Sequence, residues 1–158
     1  MDASQPVEIE RKFSVKHLPE DLEDYPREHI TQGYISIGND GKEIRLRNRN
    51  NNYFLTIKSG NGLIRSEHEI KLTPEQFKAL WPVTHGKRIE KTRYSIPGNI
   101  ELDVYHGDLD GLITAEVEFR SEKASEDFMP PDWFDEELTY DKRHKNQSLA
   151  VEGLTVFS

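Results

Sequence analysis

The chain has 158 residues, a net charge of −8 and no cysteine, which sets an expectation of one domain over residues 1–158. An acidic balance speaks against nucleic acid as a partner, and the missing cysteines exclude disulfides, thiolate metal sites and a Cys nucleophile. Met1–Pro6 has no apolar leader character and no run approaches membrane-spanning length, so the expectation is a cytoplasmic protein with no membrane partner.

Strand-like runs dominate. The first is Glu8–Val15, where Glu8, Glu10 and Lys12 alternate with Ile9 and Phe13. Alternation or β-rich composition then marks Thr31–Ile37, Glu43–Asn48, Tyr53–Ser59, Leu63–Leu72, Lys87–Ile96, Ile100–Tyr105 and Leu112–Arg120. Turn signals separate them at Gly38-Asn39-Asp40-Gly41, Asn50-Asn51-Asn52, Gly60-Asn61-Gly62, Pro97-Gly98-Asn99 and Gly107-Asp108. Thr73-Pro74-Glu75-Gln76 reads as a helix start, with Thr as N-cap, Pro at the first position and Gln at the third. Ser121–Asp127 and Asn146–Glu152 are two further short helix candidates. No repeat or linker divides the chain. The fold class is mainly β (α+β), an antiparallel barrel or sandwich with a few short peripheral helices.

The charges keep to one face of each strand. Arg45 and Arg47 oppose Ile44 and Leu46, and Lys58 opposes Leu55 and Ile57. Arg65, Glu67 and Glu69 form a row, as do Lys91 with Arg93, Glu101 with Asp103, and Glu116 with Glu118. On any one strand such a row is ordinarily the solvated face. Seven rows, each mainly of one sign or of a metal-like pairing, point instead to a barrel closed with that face inward. Its lumen would be prohibitively costly unless filled by water, metal and a polyanion. Helices near Phe77–Trp81 and the Phe128–Phe134 segment are expected to cover part of the outward apolar faces. A face left uncovered at Tyr53, Leu55 and Ile57 would offer a homodimer contact.

Carboxylates without Cys or clustered His favour hard cations, Mg²⁺ or Mn²⁺. Several Arg and Lys aimed at one place suit a chain of phosphates. Together they fit phosphoryl transfer. The sequence carries no Gly-rich phosphate loop with Lys-Ser/Thr, no His-Glu-x-x-His, no Gly-x-Ser-x-Gly and no kinase motif set.

The opening Glu-Ile-Glu-Arg-Lys-Phe resembles the Glu-x-Glu-x-Lys signature of the CYTH superfamily, the triphosphate tunnel metalloenzymes. The likeness continues in order through Gln32-Gly33-Tyr34, Glu43–Arg47, Leu55–Ser59, Arg65–Ile70, Glu90–Tyr94, Glu101–Val104, Ala115–Phe119 and Asp141-Lys142-Arg143. It is strongest to short bacterial inorganic triphosphatases. The resemblance implies an eight-stranded antiparallel tunnel with the charges inside. It implies Glu8, Glu10, Asp103, Glu116 and Glu118 as metal-side carboxylates, with Glu8 and Glu10 counted as catalytic. Glu67 and Glu69 would hold a second metal or order the basic residues. Lys12, Arg45, Arg47, Lys58, Lys91, Arg93 and Arg143 would grip the triphosphate. Lys58, crowded by Arg45, Arg47 and Lys91 but opposed by carboxylates, is the candidate for deprotonating the attacking water.

The expected activity is therefore metal-dependent hydrolysis of inorganic tripolyphosphate to pyrophosphate and phosphate. A class IV-type adenylate cyclase or a triphosphatase acting on ATP, another nucleotide or thiamine triphosphate shares the implied fold, and a non-catalytic polyphosphate-binding module is the remaining alternative. The chain departs from the pattern at His144, where relatives carry Tyr. Its short C-terminal stretch, Asn146–Ser158, is expected to leave the tunnel less covered.

Overall fold

The computed structural model describes residues 7–38, 41–60 and 62–153. Met1–Pro6, residues 39, 40 and 61 in two of the expected turns, and residues 154–158 of the C-terminal stretch lie outside them. Eight strands form a closed antiparallel ring: β1 (Val7–Val15), β2 (Arg27–Ile37), β3 (Glu43–Arg49), β4 (Asn52–Ser59), β5 (Ile64–Leu72), β6 (Arg88–Ile96), β7 (Ile100–Tyr105) and β8 (Ile113–Phe119). Going round the ring the order is β1, β5, β4, β3, β2, β6, β7, β8 and back to β1. The closing seam is short, pairing Val7 with Ser66, Glu8 with Arg65 and Ile9 with Ile64. β2 starts at Arg27 rather than the expected Thr31, because its first residues pair with the end of β6.

A ninth strand, β9 (Phe134–Glu137), had no signal in the sequence: it is short, and Asp135-Glu136-Glu137 reads as solvated loop. It docks beside β1, with Phe13 opposite Glu137 and Val15 opposite Phe134. Arg11 points outward and fixes it, donating from Nε and Nη2 to the two Glu137 oxygens at 2.8 and 2.7 Å and from Nη1 to the Ser125 carbonyl at 2.8 Å.

The alternation turns the ring inside out relative to most small barrels. Apolar side chains face outward and are covered from outside. Over β3, β4 and β5 lies α1 (Pro74–Leu80), started by the expected capping box: the Thr73 hydroxyl accepts from the Gln76 amide and the Gln76 side chain accepts from Thr73. Its Phe77 packs on Leu46 and Leu72, joined by Tyr53, Leu55, Leu80 and Trp81. Of the face proposed from sequence for subunit pairing, Tyr53 and Leu55 lie under α1, packed against a helix of their own chain, and Ile57 is not part of that cluster. On the opposite side, Phe128, Trp133 and Phe134 cover Phe13, Ile100, Ala115 and Val117, as expected of that segment, and α2 (Glu122–Asp127) precedes them, capped by Ser121.

The ring is closed at one end from within. Tyr34, Ile89 and Tyr105 follow the inward parity of β2, β6 and β7, and they pack with Leu109, Leu149 and Ala150. The last two belong to α3 (Asn146–Glu152). From the C-terminal stretch, α3 supplies the apolar plug for this end, and the Tyr105 hydroxyl donates to Asn146 Oδ1 at 2.5 Å. No helix among the described residues is long and apolar enough to cross a membrane.

Gly33 of β2 is a packing requirement. A Cβ there would lie 2.5 Å from both Cβ and Oγ1 of Thr84. Thr84 is fully buried, donating to the Trp81 carbonyl at 2.7 Å while accepting from Arg88 Nε at 2.9 Å. Gly33→Ala should therefore cost about 1–3 kcal/mol by overpacking, read as a lower urea midpoint. Part of that loss should return when Thr84→Gly is added, and additive effects of the two changes would show that the crossing is not the cause.

Candidate active site

The inward rows meet around a cavity of about 280 Å³. From the resemblance-derived set its wall contains Glu8, Glu10 and Lys12 of β1, Arg45 and Arg47 of β3, and Lys58 of β4. It also contains Glu67 and Glu69 of β5, Arg93 of β6, and Glu116 and Glu118 of β8. The strand period alone accounts for this, since each row is spaced by two and the ring is closed.

Lys91, Asp103 and Arg143 are not in the wall. Asp103, expected beside the metal, is fully buried with both oxygens occupied: Oδ2 accepts from Lys91 Nζ at 2.8 Å and from Arg93 Nη2 at 2.9 Å, and Oδ1 from Arg93 Nε at 2.8 Å. Burial opposes its charge, but Arg93 and Lys91 outweigh burial and hold the carboxyl far below the usual range. Lys91 is fully buried behind the wall, so neither it nor Asp103 presents a side chain to the cavity. Arg143 is more than half exposed and forks onto Asp141 at 3.0 and 2.7 Å. Spacing along a strand gives the face a residue occupies but not which partner claims it, which is why Lys91 and Asp103 were grouped with the rest; Arg143, which lies on no strand, came only from the family resemblance.

Several wall residues were not called from sequence. Glu43 heads the row of Arg45 and Arg47, and Arg49 continues it, so the i, i+2 rule that found the middle pair applies to both ends. Arg65 and Glu101 sit on rows already recognised, while Thr139, Asp141, Lys145 and Asn146 come from the segment before and into α3, which carries no periodic signal. His144, the departure from the family pattern, also lines the cavity. Its backbone carbonyl accepts from Lys12 Nζ at 2.5 Å, a contact that does not depend on the side chain, while its ring Nδ1 lies 3.2 Å from Asp141 Oδ2.

The cationic side of the cavity is buried yet loosely partnered. Glu43 gives its close contact to Arg65 at 2.8 Å, and burial, which would raise its pKa, is outweighed by Arg45 and Arg65. Arg45 is left with Glu43 at 3.9 Å and Glu67 at 4.0 Å, and its buried Nε has no hydrogen-bond partner. Arg47 donates from Nε to Gln32 at 3.0 Å, and no carboxylate among the described residues comes within 4.0 Å of it. Burial, then Arg45 and Arg93, push the Arg47 pKa down. Two buried guanidiniums short of acceptors call for an anion.

Opposite lies the acidic side. Across the β1–β8 ladder Glu10 faces Glu118 and Lys12 faces Glu116, and across β7–β8 Glu101 faces Glu116. Carboxylates set directly opposite one another destabilise a sheet. Burial, then Glu116 and Glu8, push Glu10 up to about 8, and Glu10 hydrogen-bonds to Glu116. Glu116 itself is brought down to about 2, since Lys12 and Arg93 outweigh its burial. The two carboxyls are thus coupled through a shared hydrogen bond, one raised and the other lowered. Burial and the charges of Glu8, Glu101 and Glu67 raise Glu118 as well.

This donor set fits a hard divalent cation, which would take the place of the proton on Glu10. Among the described residues no three acidic or His side chains are already gathered as a ligand cage. Mg²⁺ does not need one: it commonly takes one or two carboxylates and completes its shell with water and phosphate oxygens. Lys58 bridges the two sides of the cavity, with its ammonium 2.8 Å from Glu8 Oε2.

A closed barrel with buried, under-partnered arginines facing a crowd of carboxylates is a tunnel built for a polyanion and its counter-cation. An inorganic triphosphatase from Nitrosomonas europaea is 49% identical over 150 residues, covering 92% of this chain and 97% of that protein. Another from Acetivibrio thermocellus is 35% identical over 124 residues, covering 75% and 78%. The crystal structure of the inorganic triphosphatase NE1496 superposes with a TM-score of 0.67 at 45% identity, over 91% of this chain and 94% of that one. A structure described as a putative adenylyl cyclase from Hippeastrum with a dominant triphosphatase activity shares the fold at 14% identity and a TM-score of 0.54, over 75% and 82%. No protein-family model matches the chain. The chain belongs to the inorganic triphosphatase family.

The buried Asp103 cluster gives a direct test of the wall. Asp103→Asn leaves Arg93 and Lys91 without their charge partner and should cost about 3–5 kcal/mol at pH 7. A carboxyl held below its unfolded value contributes stability above that value and loses it on acidification. The wild-type protein should therefore lose stability below about pH 4, and the variant should show a shallower acid limb. Urea unfolding from pH 2 to 7 reads both effects, and identical acid limbs would contradict the assignment.

Proposed function

We propose that the protein hydrolyses inorganic tripolyphosphate to pyrophosphate and phosphate, dependent on Mg²⁺ or Mn²⁺. The observation that carries this is the pairing of Arg45 and Arg47, buried and short of acceptors, with the adjoining carboxyls Glu10 and Glu116 across the same cavity. The names of the two relatives point the same way.

Glu10 and Glu116, with Glu8 and Glu118 beside them, would hold the cation, which when bound would supply Lewis-acid neutralisation of the charge developing on the phosphate. Arg45, Arg47, Arg93 and Lys12 grip the anion and fix the terminal phosphorus for in-line attack by water. Glu67 and Glu69 order the basic side: Glu67 lies 4.0 Å from Arg45, and Glu69 accepts from Thr56 at 2.9 Å. Lys91 and Asp103 act from behind the wall by holding Arg93 in place. Lys58 Nζ, 2.8 Å from Glu8 Oε2 at the cavity wall, is placed to reach both the phosphate and the attacking water, the role in which it stands as the candidate base.

Among the described residues the rings in the wall are those of Tyr34, which is fully buried, and His144, which is 14% exposed and set beside Asp141. Neither offers an open face on which an adenine or thiazolium could stack, and this favours the inorganic anion over ATP or thiamine triphosphate.

Phosphate release from tripolyphosphate, with ATP and thiamine triphosphate alongside, should be fast with Mg²⁺ or Mn²⁺, near zero in chelator and much slower for the organic substrates. Glu10→Gln and Glu116→Gln should each lower kcat by roughly a hundredfold or more. Faster ATP turnover, or tight tripolyphosphate binding with no turnover under any metal, would sink the proposal.

The raised Glu10 adds a pH signature. Because Glu10 is raised to about 8, a cation must displace a proton below that pH. Mn²⁺ affinity should rise from pH 6 toward 8 and level off above it, and Glu10→Gln should flatten the rise. Calorimetric titrations at several pH values decide this, and a flat wild-type profile would contradict the assignment of a protonated Glu10.

A further inference from the structure

The three inward arginines of β3 do not share one environment. The side chain of Arg45 is 5% exposed, and Arg47 is likewise buried. Arg49, still in the cavity wall, is 35% exposed and therefore stands where the tunnel opens to solvent. Its guanidinium rests on a single oxygen, Glu28 Oε2, with Nε at 3.0 Å and Nη2 at 2.9 Å. A half-exposed pair of that kind contributes little, and both groups exchange it readily for a better partner. A phosphate, with two oxygens to offer a planar fork, is a better partner for arginine.

Length decides which phosphate that is. Alternate residues of a strand are about 6.6 Å apart. The terminal phosphorus atoms of tripolyphosphate are separated by two anhydride links, a comparable length. The step from Arg45 to Arg47 thus matches one tripolyphosphate, and Arg49 lies one step beyond it. At the other end the barrel is filled by Tyr34, Tyr105 and the α3 plug, so a longer anion has to project toward Arg49.

We propose that Arg49 forms an outer phosphate subsite for linear inorganic polyphosphates of four or more units, with the Glu28 carboxylate standing in when shorter anions are bound. The inference rests on the reading of the cavity as a polyphosphate site.

The test is the binding of tripolyphosphate and of tetrapolyphosphate to wild type, Arg49→Gln and Glu28→Gln, followed by calorimetry in chelator so that no turnover intervenes. The quantity read is the ratio of the two dissociation constants. Arg49→Gln should shift that ratio about tenfold against the longer anion, and Glu28→Gln should shift it in favour of the longer anion by releasing Arg49. A merely structural pair would move both variants in the same direction. An unchanged ratio in Arg49→Gln, or no binding of either anion to wild type, overturns the subsite. Failure of the hydrolase reading appears separately, as absence of phosphate release from tripolyphosphate by wild type with Mg²⁺.

Discussion

The structure depends on one electrostatic constraint: a ring of strands has been closed around charge. Arg45, Arg47, Lys58 and Glu116 are surrounded by protein; among the described residues Arg47 has no carboxylate within 4.0 Å, and Arg45 has carboxylates only at 3.9 and 4.0 Å. Burying a charge is costly unless a partner of opposite sign is held close. The chain meets this in two ways. Behind the wall it satisfies charges fully, as with Asp103 between Lys91 and Arg93. In the wall it leaves like charges adjacent, Arg45 near Arg47 on one side and Glu10 beside Glu116 on the other. The first arrangement is scaffold and the second is a site.

The inside-out core follows from the same constraint. With the lumen given to charge, apolar burial has to come from outside, so short elements are laid over the barrel where a conventional barrel would have none. α1 with Trp81 and the Phe128–Phe134 segment cover different outer patches while α3 plugs one end, and none of the helices among the described residues exceeds 7 residues. Helices that short are not stable alone and persist because they pack. Their capping residues, Thr73 and Ser121, fix where they start, while Phe77 and Leu149 fix where they sit.

Much of this was legible in the sequence because a strand's period of two is unambiguous. Arg45-Leu46-Arg47 and Glu116-Val117-Glu118 announce which side chains share a face, and closure of the ring then brings the rows together. What was not legible depended on contacts between distant segments. β9 is an acidic tetrapeptide made into a strand by Arg11 and by the edge of β1. Arg49 was hidden by its neighbours, because Asn50-Asn51-Asn52 reads as a turn and draws the eye past the last strand residue. Asp103 shares its spacing with true wall residues and is set apart only by what lies across from it. The covering of Tyr53 and Leu55 by α1 likewise required knowing where the helix lands.

The seam between β1 and β5 has a thermodynamic meaning that its size conceals. Among the described residues the pairs Val7–Ser66, Glu8–Arg65 and Ile9–Ile64 close the ring there, with the Glu10 amide donating to the Leu63 carbonyl at 3.1 Å, and these pairs are fewer than along the other strand boundaries of the barrel. One of those residues, Glu8, also reaches Lys58 across the lumen. Opening the seam and dismantling that corner of the cavity are therefore a single event. Whatever lodges between the carboxylates and the lysine is lost when the ring parts, and by mass action its presence makes parting rarer. The occupant of the tunnel is in this sense the missing rung of the β1–β5 ladder.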